Sequence, residues 1–102
     1  MELVMDSEVE LSGTHLQGHI ECAYAELVKA FGEPILIAKP DMKTDAEWHG
    51  RIDGEVFTIY NYKDGKNYLG EDGLEVLKIT YWHIGGFTAL AFEKVREVLS
   101  LK

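Results

Sequence analysis

Asp53-Gly54 constrains this chain more than any other pair of residues. An Asp-Gly dipeptide favours a two-residue type I′ turn, in which both central residues take positive φ and the turn's twist matches two antiparallel strands. The flanking stretches, 45–52 and 55–62, alternate with the period of two expected of half-buried strands. The turn then sets a register with Ile52 opposite Glu55, Gly50 opposite Phe57, Trp48 opposite Ile59 and Ala46 opposite Asn61. Trp48, Ile52, Phe57 and Ile59 share one face and are expected in the core. The other face carries Asp45, Glu47, His49 and Arg51 beside Val56, Thr58, Tyr60 and Tyr62.

Around this hairpin the remaining segments read in turn. Thr14 to Ile20 is expected to be a strand. Tyr24, Leu27, Val28 and Phe31 form the i, i+3, i+4, i+7 stripe of a helix over about 22–31, closed by Gly32 and Pro34. Residues 35–44, containing Pro40-Asp41, read as a connection, and 63–73 as a polar loop that either folds locally or serves a function. Val76 to Ile84 is rich in β-branched and aromatic residues and is predicted as a strand, broken by Gly85-Gly86. Ala91, Phe92, Val95, Val98 and Leu99 mark a closing helix over 88–101. The order β-α-β-β-β-α predicts an α+β fold with an antiparallel sheet of about four strands. Both helices are expected on one face, leaving the other face free.

Length and charge bound the rest. A chain of 102 residues fits one domain, assigned to 12–102. Residues 1–11 form an acidic segment that either adds an edge strand, through the alternating Glu8-Val9-Glu10-Leu11, or is disordered. Half of the net charge of −8 comes from Glu2, Asp6, Glu8 and Glu10. That balance argues against a duplex-DNA binder, which needs a basic face. Because the excess is terminal, it does little for DNA mimicry. The single cysteine, Cys22, excludes an internal disulfide and a cysteine-based zinc site. No apolar run approaches the ~20 residues of a membrane span, and the amino terminus lacks a signal-peptide core, so the expected location is cytoplasmic.

Catalytic patterns are weak. In a strand, His15 and His19 would lie ~13 Å apart, too far to share one ion. Asp45 and Glu47, with His83 or His49, could serve a metal-dependent hydrolase or nuclease. The tandem-acid nuclease pattern nevertheless fails, because His49 stands where a lysine is needed. Glu21 and Glu26 oppose a Cys22 thiolate. No nucleophile elbow or phosphate-binding glycine loop is present in the sequence. The chain is therefore read as non-enzymatic, with no cofactor and no metal. Binding has more support. Tyr60, Tyr62, His49 and Arg51, with Lys63, Lys66, Asn67 and Tyr68 from the adjoining loop, combine rings, donors and cations suited to a nucleobase or a protein interface. The same tyrosines would equally suit a homo-oligomer contact.

Thr14-His15-Leu16-Gln17-Gly18, Tyr24-x-x-Leu27-Val28-x-x-Phe31-Gly32-x-Pro34, Lys43-Thr44-Asp45-Ala46-Glu47-Trp48, Thr58-Ile59-Tyr60-Asn61-Tyr62-Lys63 and Trp82-His83-Ile84-Gly85-Gly86 follow in order along the chain, with Asp53-Gly54 among them. Together these blocks resemble a family of small non-structural proteins of tailed bacteriophages. The resemblance implies action in the host cytoplasm by binding and disabling a host factor. Counter-defence is the leading expectation, through inhibition of a host protein or sequestration of a nucleotide immune signal. A metal-dependent hydrolase and a minor virion or assembly protein are the alternatives. Structural need accounts for Gly32, Pro34, Asp53-Gly54 and Gly85-Gly86 but less readily for Asn61, Lys63 and His83. The expected ligand- or partner-binding set is His49, Arg51, Tyr60, Asn61, Tyr62, Lys63, Lys66 and His83.

Overall fold

The computed structural model describes residues 1–37 and 43–100. The connection expected around Pro40-Asp41 lies partly outside them, as does the last expected helical residue, Leu101. Strands are β1 (Leu3–Met5), β2 (His15–Glu21), β3 (Ile35–Leu36), β4 (Ala46–Ile52), β5 (Glu55–Tyr60) and β6 (Tyr81–Gly86). Helices are α1 (Tyr24–Phe31), the single turn α2 (Lys66–Leu69) and α3 (Ala89–Leu99). All six strands join one antiparallel sheet in the order β1-β4-β5-β6-β2, with β3 also on β4. The expected four strands are therefore too few. The two extra ones, β1 and β3, are short pieces that share the outer side of β4.

The hairpin forms as its turn dictates. Asp53 has φ 52° and Gly54 φ 82°, the positive pair that the turn requires. Ile52 pairs with Glu55, Gly50 with Phe57 and Trp48 with Ile59. The ladder stops at Glu47 and Tyr60, one pair short of the expected Ala46–Asn61 contact. Trp48, Ile52, Phe57 and Ile59 are all buried on the inner face with Leu27 and Phe31 of α1 and Ala91 and Val95 of α3. Both long helices thus cover the same face.

The two tryptophans strap α1 to the sheet. Trp48 Nε1 donates to the Gly32 carbonyl at 2.8 Å, just past the helix end. Trp82 Nε1 donates to the Cys22 carbonyl at 2.9 Å, just before its start. Their rings meet edge to face at 5.3 Å, so each buries a large apolar surface without leaving its N–H unpaired. The predicted strand over 76–84 begins late: Val76–Lys78 is a 3₁₀ turn and the strand runs on through Gly85-Gly86. At Gly86 a Cβ would come within 2.3 Å of the Ala91 Cβ, so the glycine keeps α3 close to β6.

The other sheet face is not wholly free. Because β1 and β2 lie at opposite ends of the strand order, residues 6–14 must cross the sheet between them, and they do so on the helix-free face. Asp6 lies on that face, against His49 and Arg51. Val9 is buried in this crossing, as are His49 and Thr58 on the sheet. The strand in the acidic segment is Leu3–Met5, upstream of the alternating residues 8–11. It reaches the hairpin tip: the Asp53 carboxylate accepts from the Glu2 N–H at 2.7 Å and from Lys94 Nζ at 2.9 Å.

Candidate functional site

The crossing segment divides the expected binding set. On the covered half, His49 Nδ1 lies 3.1 Å from the Asp6 carbonyl, and Arg51 Nη1 donates to Asp6 Oδ2 at 3.1 Å. The bonds from the Glu8 N–H and Arg51 hold the Asp6 carboxyl below the usual carboxylate range. Beside this strap lies a cleft of about 270 Å³ whose lining includes Asp6, Glu33, Glu47, Trp48 and His49. Three carboxylates stand in its wall, one of them, Asp6, paired with Arg51.

The uncovered half collects rings from β5, β6 and β2. Cross-strand register puts Tyr60 beside His83 and His83 beside His19. The Tyr60 and His83 rings stack at 5.4 Å, and His19 meets His83 edge-on at 4.6 Å. Tyr81 stacks on His19 at 5.1 Å, and Tyr62 leans on His83 at 5.5 Å. His83 is the hub of this cluster. Its Nδ1 is buried without a hydrogen-bond partner. Burial, and then His19, pull its proton affinity below the ordinary imidazole value, while Asp64 works against them. Burial, with Tyr62 adding to it, pushes the Tyr60 phenol up.

Lys63 borders the cluster, held in a left-handed conformation at φ 64°. Its ammonium lies 5.3 Å from the Tyr62 ring centre and 5.5 Å from that of Tyr68. Tyr62, Tyr68 and Tyr81 are each more than 40% exposed, so aromatic surface faces outward beside a cation. Lys66 is exposed at the start of α2.

Asn61 is placed quite differently. It is fully buried, and both ends of its amide are in use. Oδ1 accepts from the Asp45 N–H at 2.8 Å and the Ala46 N–H at 3.0 Å. Nδ2 donates to Asp45 Oδ1 at 2.9 Å and Asp64 Oδ1 at 3.0 Å. The other Asp45 oxygen accepts from the Asn67 N–H at 3.0 Å, and Asn67 Nδ2 donates to the carbonyls of Ile37 and Thr44 at 2.6 and 2.9 Å. This knot fastens the loop after β5 to the start of β4.

Asp45 is thereby engaged on both oxygens, away from the acid pair imagined with Glu47. Among the described residues, no three of His, Cys, Asp and Glu are grouped to hold a metal ion. Burial and then Glu26 push the Cys22 thiol up, away from the reactive thiolate. The structure thus brings together Tyr60, Tyr62, Lys63 and His83, adds His19, Tyr81 and Tyr68, and places His49, Arg51 and Asn61 in other networks. His19 and Tyr81 could have been found from the sequence by alternation alone, had the β2–β6 register been known.

No protein-family model, curated protein or solved structure matches the chain.

Proposed function

We propose that this chain is a non-enzymatic accessory protein of a tailed bacteriophage that binds and neutralises a host factor. The binding surface is the uncovered half of the helix-free sheet face. One observation carries the reading: the buried, unpartnered Nδ1 of His83 at the centre of a patch of exposed rings. A buried polar atom without a partner costs on the order of 1–3 kcal/mol, and a ligand that parts the surrounding rings and supplies the partner recovers part of that cost. The phage context comes from the sequence blocks, which include Tyr60, Tyr62, Lys63 and His83.

Two kinds of target suit the surface. Exposed tyrosines beside Lys63 can stack on a nucleobase and meet its phosphate, which favours capture of a nucleotide signal. The same residues are those enriched at protein interfaces. Isothermal titration against a panel of cyclic nucleotides and ADP-ribose derivatives separates the two. Nucleotide capture requires a binding heat that Tyr62→Ala or Lys63→Ala reduces at least tenfold in affinity, as roughly 1.4 kcal/mol of lost contact would. A silent panel moves the reading to protein contact. That branch requires a host protein retained by the wild-type chain and released by Tyr62→Ala. If neither variant changes what is bound, the surface is misassigned.

A further inference from the structure

We propose that two copies of this chain join through β2, edge to edge, into one continuous antiparallel sheet. The two sheet margins are unlike. The outer side of β4 is taken by β1 and β3, whereas among the described residues nothing pairs with the outer side of β2. Proteins commonly blunt such an edge with lysine or proline, and His15–Glu21 contains neither. A bulge between Leu16 and Gly18 bends the first part of the strand, while Gly18 to Glu21 pairs regularly with β6.

The Cys22 N–H donates to the Thr80 carbonyl at 2.8 Å, toward β6. By the alternation of an antiparallel ladder, the backbone N–H and C=O groups of His19 and Glu21 point the opposite way, into the open edge. Two such edges related by a two-fold axis at Ile20 therefore exchange backbone bonds at these positions. His19 of each copy then lies opposite Glu21 of the other, both on the helix-free face, giving two imidazole–carboxylate pairs. Tyr81, 44% exposed and paired with Glu21 within the chain, widens the contact. The reciprocal imidazole–carboxylate match selects a second copy over a foreign extended peptide. The backbone pairing at this edge needs no ligand on the sheet face, although its side-chain contacts share His19 and Tyr81 with the ring cluster.

Analytical ultracentrifugation of the full chain from about 1 to 200 µM tests this, a range that captures micromolar self-association. A monomer–dimer equilibrium is expected. Glu21→Pro deletes an N–H that the β2–β6 ladder does not use, and is expected to leave a folded monomer. His19→Glu sets two carboxylates against each other and is expected to weaken the dimer about tenfold or more, with Glu21→Lys added to it restoring assembly. Should Glu21→Pro fail to fold, the charge pair decides alone. A wild-type chain that stays monomeric throughout the range overturns the proposal. So does a dimer that is indifferent to His19→Glu.

Discussion

Asn61 and His83 are both polar side chains held in the body of the protein, and they are treated in opposite ways. Asn61 offers an acceptor oxygen and a donor nitrogen, and each makes two bonds, to Asp45, Ala46 and Asp64. His83 leaves its Nδ1 without a partner among rings that supply no matching group. A satisfied buried network fixes local structure, whereas an unsatisfied atom is a cost that stability alone would remove. The first reads as a strut of the fold and the second as an unmet polar demand beneath the exposed rings.

Substitution separates them. The largest effect is expected at the strut: Asn61→Ala strands two backbone N–H groups and two carboxylates and should cost about 3–5 kcal/mol in denaturant unfolding. Asn61→Asp should cost at least as much at neutral pH, because it sets a third carboxylate between Asp45 and Asp64. A loss below ~1 kcal/mol for either variant would show that water replaces the knot.

Asp45→Ala should come next, at about 2–3 kcal/mol, since it frees the Asn61 amide and the Asn67 N–H together. Its cost should fall sharply in the Asn61→Ala background, and a strictly additive double mutant would refute the shared network.

A smaller effect belongs to the pH dependence of His83. Its folded proton affinity lies below the ordinary value of 6.5, so in the window just below pH 6.5 the unfolded chain takes up a proton that the folded chain refuses. Its contribution to stability is complete above pH 6.5 and declines as pH drops through that window. Comparing wild type with His83→Phe isolates this slope; parallel stability curves would contradict it. Smallest of all is the change expected for His83→Phe itself at pH 8. The ~1–3 kcal/mol relieved by removing the unpartnered atom is offset by refitting a larger ring among His19, Tyr60 and Tyr62, leaving a net shift of about 1 kcal/mol or less. Binding, by contrast, should be lost.

The parts legible in the sequence were those governed by strong local rules. Asp53-Gly54 set the hairpin register and hence the whole inner face from Trp48 to Ile59, and Gly32 with Pro34 marked the end of α1. Strands of three and two residues such as β1 and β3 have no periodicity to read, and they exist because β4 offers them a ladder. The loop from Lys63 to Gly73 takes its shape from bonds to Asp45 and Ile37, 22 and 30 positions from Asn67, which no local pattern encodes. Of the candidate site, Tyr60, Tyr62 and Lys63 were singled out from residue type and their place on the hairpin and its loop, and His83 from the sequence blocks; the structure groups these four side chains. His49 and Arg51 share the helix-free face and were separated from the others by the crossing segment, whose path depends on where β1 and β2 fall in the strand order. Asn61 was assigned to the binding set because structural need accounted for it less readily, and the buried knot it ties supplies that structural need.

The Asp53 carboxylate, which grips both the Glu2 N–H and the Lys94 ammonium, also orders events in time. Residue 2 leaves the ribosome 51 positions ahead of its acceptor, and the opposing grip waits a further 41. The first strand is thus born without a ladder to join. Its ladder partner β4 becomes available only with the hairpin. Like charge on Glu2, Asp6, Glu8 and Glu10 disfavours pairing of that segment with a second copy in the interval.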